Sequence, residues 1–524
     1  MRCGLYLHIS DQSDRAANRL LQAWCQRLLS ELLPGVSDLI PSYGRLYIEY
    51  DDSRVSLAQL RRWCHQHYQA LAGAQSHSHT RRVDIPVCYD GEDLAEIAAA
   101  RRCSVQEVAA VHSSVPYHVY ALGFAAGFPF MGDVPEAIRY PRRPSPRVQV
   151  PAHSLAMTHG QTGIYPMASP GGWNLLGRAL VAMYDPQRQP AFALEPGDEV
   201  CFIPQDPACA APLGEVTALE LLPADPAYPC LEVLKAGLLD VVVDGGRFLG
   251  GRYGLSRSGA LDQRAAQLAN ALLANPHDAP LIEINLRGGH FAVLRPLVLA
   301  FAGQGMQPLR NGEKLEPNSS YRLEPGDELH FQSLQQGCRG YLAIAGGVAS
   351  KRFWNSASVD LKAKLGRPLR PGDILGQAQP APRRAGRHFR PHRFTPYGQS
   401  VRTLRLLAGP QASPEAWQAL TSQTFQVGFA DRMGLRLQGG SVPGGELLSE
   451  ATPLGAVQIP PSGEPIILLH DRGTLGGYHK PAVVHPEDLS YVSQLRLGQA
   501  LRFVQVQEPT PAYTVIPYDS LATP

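Results

Sequence analysis

Lysine is almost missing from this chain. Only six of its 48 basic residues are lysine, at 235, 314, 351, 362, 364 and 480, so 42 are arginine. An excess of charge is missing too, with 48 Lys+Arg against 46 Asp+Glu and a net charge of +2. Nucleic-acid binders usually show a basic excess or stripe, so that partner class is excluded. Aromatics make up only 8%, too few to favour base-stacking platforms. The nine cysteines are odd in number and form no CxxC pair, which argues against a disulfide framework or a zinc site. Reduced thiols and no metal centre are expected. Met1–Ser10 lacks a basic start followed by an apolar core, so no signal peptide is expected. The longest apolar run, about Leu297–Ala302, falls far short of a membrane span. The expectation is a cytoplasmic, multi-domain protein with no membrane contact.

Several catalytic signatures are also absent. There is no G-x-x-x-x-G-K-[ST] and no lysine follows a glycine, which excludes a Walker-type nucleotide site. No Rossmann G-x-G-x-x-G, H-E-x-x-H or G-x-S-x-G occurs in its required context. No A-M-K-M-like segment is present, so no covalently bound biotin is expected.

What is abundant is turn-forming residues. Gly 50 and Pro 46 predict many short strands. Residues 1–80 read as a small α/β unit. A strand at Cys3–Ile9 is followed by a helix capped by Asp11 or Ser13, strands at Val36–Ile40 and Arg45–Glu49, and a helix at Ser56–Ala72. Gly73–Thr80 reads as a linker. Residues 81–205 alternate short apolar runs with Gly and Pro, the pattern of a β-barrel or sandwich. A Pro/Ala-rich stretch at 206–229 separates a second β-rich half. That half divides into 230–376, an Arg/Pro-rich linker at 377–396, a further unit at 397–507, and a tail at 508–524.

A short element recurs. Leu194–Val200 (LEPGDEV) matches Leu323–Leu329 (LEPGDEL); Leu369–Leu375 (LRPGDIL) is a third copy and Leu495–Leu501 (LRLGQAL) a degraded fourth. Pro presets φ, Gly supplies positive φ and Asp caps the turn, so each copy should lead into a strand. A second pair is Val148–Pro151 (VQVP) and Val457–Pro460 (VQIP), each followed by a Gly-rich polar loop. These repeats predict two related barrels, one in each half, each carrying one loop.

The loops hold the candidate chemistry. Arg142–Arg178 contains Arg142, Arg143, Arg147, Gln161, Ser169, Gly171, Gly172, Trp173 and Arg178. Phe429–Tyr478 contains Arg432, Arg436, Gln458, Asp471, Arg472, Thr474, Gly476, Gly477 and Tyr478. Arginine forks a carboxylate or phosphate, and glycine pairs let a ligand approach the backbone. A third cluster, Asp244–Asp262, holds Arg247 and Asp262, the latter equally suited to capping a helix. His112 stands alone after an amphipathic helix, a position more often structural than catalytic. The arginines concentrate beside these loops, whereas of the lysines only Lys480 lies close to one. That placement points to a small anionic substrate.

At these segments the chain resembles a known family. Tyr89–Leu94, His112, Val119–Gly132, Pro141–Val150 and Gln161–Arg178 resemble the B-type 5-oxoprolinase subunit, also labelled allophanate hydrolase subunit 1 or Kip-type kinase inhibitor. Lys235–Gly237, Asp244–Arg247, Ser258–Asp262, Leu281–Glu283, Gly340–Gly347, Asp431–Leu437, Leu448–Pro460 and Asp471–Tyr478 resemble the C-type subunit, the biotin-dependent-carboxyltransferase-like family. Three positions depart from the pattern: Val243 stands where the family has Gln, Val359 where it has Thr, and His153 where it has Gly.

The resemblance implies a mainly β chain with an α/β N-terminal unit and tandem cyclophilin-like β-barrels, one in the first half and two in the second. It implies ATP-dependent opening of 5-oxo-L-proline to L-glutamate, with magnesium customary for ATP, and a separate A-type subunit as partner. By this reading His112, Gln161, Gln458 and Asp471 are the catalytic candidates. Arg142, Arg147, Ser169, Gly171, Gly172, Trp173, Arg247, Asp262, Arg432, Thr474, Gly476, Gly477 and Tyr478 would bind substrate or phosphate. Two alternatives are a module that inhibits a sensor histidine kinase, and the carboxyltransferase part of a urea amidolyase-like system. Fusion of both halves favours the enzyme, because kinase inhibition needs only the first. The sequence assigns no residue to ATP and leaves homo-oligomer formation open.

Overall fold

The computed structural model describes residues 2–10, 13–72, 80–208, 210–381, 385–389, 401–506 and 513–517. The N-terminal unit comprises β1 (Arg2–His8), α1 (Arg15–Ser30), β2 (Val36–Ser42), β3 (Arg45–Asp51) and α2 (Leu57–Ala72). Leu21, Trp24, Cys25 and Leu28 recur at helical spacing and bury one face of α1 among the sheet's apolar residues. The cap of α1 is Asp14, which accepts from the Ala16 and Ala17 N–H groups. The expected cap Asp11 and the linker residues 73–79 lie outside the described residues.

Next come β4 (Arg82–Cys88), α3 (Leu94–Arg101), α4 (Val105–Ser113), β5 (Tyr117–Leu122), β6 (Pro129–Gly132), β7 (Arg147–Val150), β8 (Ser154–Thr158), β9 (Gln161–Ile164), β10 (Ser169–Gly171), β11 (Asn174–Ala179) and β12 (Glu199–Pro204). Seven of these strands close a barrel in the order β11-β4-β12-β5-β6-β9-β8, while β7 and β10 pair with each other outside it.

The third unit contains β13 (Pro229–Lys235), β14 (Val241–Val243), α5 (Gln263–Leu272), β15 (Leu281–Asn285), β16 (His290–Val293), β17 (Leu297–Gly303), β18 (Met306–Arg310), β19 (Glu313–Lys314), β20 (Ser319–Leu323), β21 (Glu328–Ser333), β22 (Arg339–Ile344) and β23 (Ile374–Gly376). The expectation of a barrel at 230–376 is corrected here. The strands form two open sheets, β19-β18-β21-β16-β13-β23 and β14-β15-β22-β17-β20. Val233 and Phe291 from one sheet share a core with Ile282, Phe301 and Leu342 from the other, so the unit is a sandwich.

The last unit contains β24 (Val401–Ala408), α6 (Pro414–Ser422), β25 (Thr424–Ala430), β26 (Gly434–Gln438), β27 (Glu446–Ala451), β28 (Ala456–Ile459), β29 (Ile466–Leu468), β30 (Leu475–Val484), α7 (Leu489–Val492) and β31 (Ala500–Gln505). It closes a second seven-stranded barrel, β24-β31-β25-β26-β29-β28-β30, with β27 attached to β30. Strand for strand, the order repeats that of the first barrel, from β4-β12-β5 onward. Each barrel contains one parallel pair, β4 with β12 and β24 with β31. The expected duplication is therefore present. Residues 508–524 are more than a tail, since β32 (Tyr513–Pro517) pairs in parallel with β1.

The recurrent turns are alike. Gly197, Gly326, Gly372 and Gly498 all have positive φ and each precedes a strand. In the first three, the Asp accepts the N–H three residues back: Asp198 from Glu195 at 2.7 Å, Asp327 from Glu324 at 2.8 Å and Asp373 from Arg370 at 2.7 Å. The VQVP/VQIP pair does not correspond in this way. Val148 lies exposed in β7, outside the barrel, whereas Gln458 lies in β28, the counterpart of β8.

The stretch at 206–229 is pinned on both sides. Gly214 O bonds His153, while Leu219 exchanges backbone hydrogen bonds with Lys364 and Gly366. Tyr184 Oη donates to Ala363 O at 2.8 Å, and Tyr6 Oη donates to Ala451 O at 2.8 Å. Buried Arg257 pairs with Glu49 at 2.7 Å. The two halves thus share cores and ion pairs.

Candidate functional site between the barrels

Strand alternation decides where the site is. In β28, Val457 and Ile459 point into the second barrel's apolar core. In β8, Leu155 and Met157 point into the first. Both interiors are filled, so the residues between them must face outward. The outward faces of the two barrels enclose a cavity of about 830 Å³. Thr158, Gln161, Arg142 and Trp173 line it from the first barrel, and Arg436, Gln458, Gly476 and Tyr478 from the second. The N-terminal unit adds Tyr43 and the sandwich adds Lys362. The two expected sites are one site.

Nine expected residues meet there: Arg142, Gln161, Gly171, Gly172, Trp173, Gln458, Gly476, Gly477 and Tyr478. The glycines make room for side chains. A Cβ at Gly171 would lie 2.3 Å from Tyr165 Oη, at Gly172 2.7 Å from Arg142 Nε, and at Gly476 2.5 Å from Gln458 Nε2. Trp173 stands edge-on to Phe128, with ring centres 5.4 Å apart, and forms an apolar wall.

Eight expected residues are not among the cavity's lining, and the expectation that they line it is corrected. His112 is buried in the first barrel, bonded to Tyr89 Oη at 2.8 Å and Thr162 Oγ1 at 3.0 Å. Burial pushes its ring down to about 3, so it is neutral. Arg147 is spent on Asp93 and Glu92, each at 2.8 Å. Ser169 pairs with Val150 in the two-stranded β10–β7 sheet. Arg247 is fully buried and donates to the carbonyls of Phe353 and Ser358. Asp262 caps α5 and accepts from Gln494 at 2.9 Å. Arg432 joins Glu283 of the sandwich to Asp471 of the second barrel, and that pairing also occupies Asp471. Burial pushes the Asp471 carboxyl up while Arg432 opposes it. Thr474 is buried, its carbonyl accepting from Thr452.

Tyr43 and Lys362 are among the lining residues without a sequence signal. Tyr43 sits in the tight turn between β2 and β3 with φ +34, stacked on Tyr120 at 5.1 Å. Asn18 holds its carbonyl, and its hydroxyl accepts from Gln161 Nε2 at 2.7 Å. Lys362 follows the Asn355–Leu361 run and comes from a different unit than either loop. Enclosure pushes its ammonium below the usual lysine range, opposed by Asp360, Asp471 and Asp431. Lys480, the lysine beside the loop, is instead buried and paired with Glu450 at 2.9 Å.

Comparison with known proteins accounts for this arrangement. The model of carboxyltransferase domain, subdomains C and D, matches residues 2–194, and that of subdomains A and B matches residues 253–505. The B-type 5-oxoprolinase subunit of Escherichia coli O157:H7 is 37% identical over 197 residues, covering 36% of this chain and 87% of that protein. The C-type 5-oxoprolinase subunit of Escherichia coli (strain K12) is 33% identical over 301 residues, covering 52% of this chain and 91% of that protein. The chain belongs to the carboxyltransferase-domain family, as a fusion of the 5-oxoprolinase B and C types. A crystallised protein, TTHA0988, matches at 48% identity with a TM-score of 0.91, covering 96% of this chain and 100% of that one. In this B–C fusion, then, the cavity is a B–C interface site.

Proposed function

We propose that this B–C fusion is a component of an ATP-dependent 5-oxoprolinase that opens 5-oxo-L-proline to L-glutamate together with a separate A-type subunit. The observation carrying this reading is the shared cavity, which neither half contains alone. It is lined by both a cationic and an apolar surface, as a small anionic ring requires.

A lactam carbonyl is a poor electrophile because the ring nitrogen donates into it. ATP, when bound, would supply a phosphoryl group to the carbonyl oxygen and so end the nitrogen's donation; water adds to that carbon, the ring C–N bond breaks with a proton passing to nitrogen, and a second water releases phosphate from the acyl phosphate left behind. The lining fits such a partner, since Arg142, Arg436 and Lys362 present positive charge to phosphates or to the substrate carboxylate. Arg472 also reaches the cavity, but its Nε is fixed on Thr452 O at 2.7 Å. Phe128, Phe130 and Trp173 pack against ring methylenes and keep water off that side. Gln161 and Gln458 offer amide groups to the lactam.

The test is to mix the purified chain with an A-type subunit, ATP and 5-oxoproline, and to assay glutamate and ADP. Stoichiometric glutamate and ADP are expected; no glutamate at any partner ratio overturns the proposal. The matched domain's description favours a second reading, carboxyl transfer from a separate biotinylated carrier. Loss of carboxyl from such a carrier, with no ADP formed, would select it.

A further inference from the structure

Gln458 is more than nine-tenths buried, yet its amide has no hydrogen-bond partner among the described residues. Its amide opens on the cavity, where a ligand can supply the missing partners. Its neighbours hold it in place: Val457 and Ile459 anchor β28 in the barrel core, and Gly476 leaves space where any Cβ would lie 2.5 Å from Nε2. The second glutamine of the cavity differs. Gln161 Nε2 already donates one N–H to Tyr43 Oη at 2.7 Å, which fixes its orientation and leaves its oxygen and only one N–H for a ligand.

A primary carboxamide presents an N–H donor and a C=O acceptor along one edge. A lactam does the same, because its ring locks the amide cis. The two edges therefore join through a pair of hydrogen bonds. An open-chain secondary amide is trans and presents donor and acceptor on opposite edges, so only one bond forms. We propose that Gln458 is the specificity-determining residue that reads the cis-amide edge of the substrate, and that Gly476 exists to seat it. The ligand class is a small ring with adjacent N–H and C=O, carrying a carboxylate. This rests on the 5-oxoprolinase reading.

The experiment measures binding to the full chain by calorimetry, for 5-oxoproline, its lactone analogue, its N-methyl analogue and N-acetylalanine. Turnover of 5-oxoproline with the A-type subunit is assayed in parallel. The wild type should prefer the lactam to each analogue by about tenfold or more, because each analogue forfeits at least one of the two paired hydrogen bonds. Gln458→Ala should reduce that preference to less than about threefold. Gly476→Ala, which displaces the same amide from a different residue, should do likewise. Both sites lie outside the barrel core, and the melting temperature reports folding. If Gln458→Ala is folded and retains the preference, the assignment is overturned while the 5-oxoprolinase reading stands. If the wild type neither binds nor turns over any lactam, both fall. Preference for N-acetylalanine over 5-oxoproline in the wild type overturns the cis-amide assignment.

Discussion

Arginine is the residue whose meaning the structure changes most. Eight arginines crowd the Gly-rich loops in sequence, which read as a ligand-binding cluster. Most are spent on the protein itself: Arg143 and Arg147 clamp Asp93, Arg178 holds Asp90, Arg247 and Arg472 hold carbonyls, and Arg432 bridges two units. Arg436 and Arg142, the latter held only by exposed Glu446 at 4.0 Å, remain to meet a ligand. Spacing cannot separate these classes, because the carboxylates that consume the arginines come from distant strands. The difference is testable. Arg142→Ala should raise KM for the anionic substrate about ten- to hundredfold while leaving the melting temperature nearly unchanged. Arg147→Ala should cost about 2 kcal/mol of stability with little direct effect on KM. His112 makes a second test. The single proton of the Thr162 hydroxyl goes to Ala156 O, so Thr162 accepts from His112 Nε2–H, and Nδ1 accepts from Tyr89. The native ring is neutral with a pKa near 3, against about 6.5 when unfolded. A depressed value means the unfolded chain binds the proton more tightly, so acid unfolds. From pH 6.5 down to about 3, this group should remove about 1.4 kcal/mol per pH unit. His112→Phe should be about 1–3 kcal/mol less stable at pH 7.5, because the Tyr89 hydroxyl loses its acceptor and Thr162 loses the N–H it accepts. Its urea midpoint should fall less than the wild type's between pH 7.5 and pH 5.

Among elements, turns were the most legible feature. The Pro-Gly-Asp copies encode φ and a cap within four residues, and all lead into strands as expected. Gly326 offers a clean measurement. Its φ is +90 and nothing lies within 4 Å of an added Cβ, so Gly326→Ala should cost about 1 kcal/mol from backbone conformation alone. Asp327→Ala should cost more, about 2–3 kcal/mol, because the Glu324 N–H, Asn311 and Arg310 all lose their acceptor. Chemical denaturation of both variants checks the ranking. Strand identity was less legible. VQVP and VQIP share letters but occupy non-equivalent strands, since four residues fix an apolar alternation without fixing its pairing partner. Closure was illegible for the same reason. The 230–376 strands alternate like those of the barrels, yet they form two sheets because long-range pairing decides closure. Tyr43 and Lys362 reach the cavity from outside both repeats, so no repeat-based reading finds them.

At the scale of the whole molecule, the halves resemble separate proteins that have become neighbours on one chain. Tyr6, Ile40 and Tyr47 share a core with Ala451 and Leu475, and the cavity opens between them. Cutting the exposed backbone after Glu215 should therefore leave two fragments that co-purify one to one when expressed together. Neither fragment alone should support turnover with the A-type subunit. Size-exclusion chromatography that shows two independent species would contradict this. The pairing of β1 with β32 adds a consequence in time. Gly4 faces Tyr513, so β1 leaves the ribosome long before the partner strand that covers its edge. At roughly 5–20 residues per second, that delay is about half a minute to two minutes. Throughout it, one edge of the N-terminal sheet offers unpaired backbone groups to any other nascent chain, and a chaperone able to cover an open strand edge would matter most in that interval.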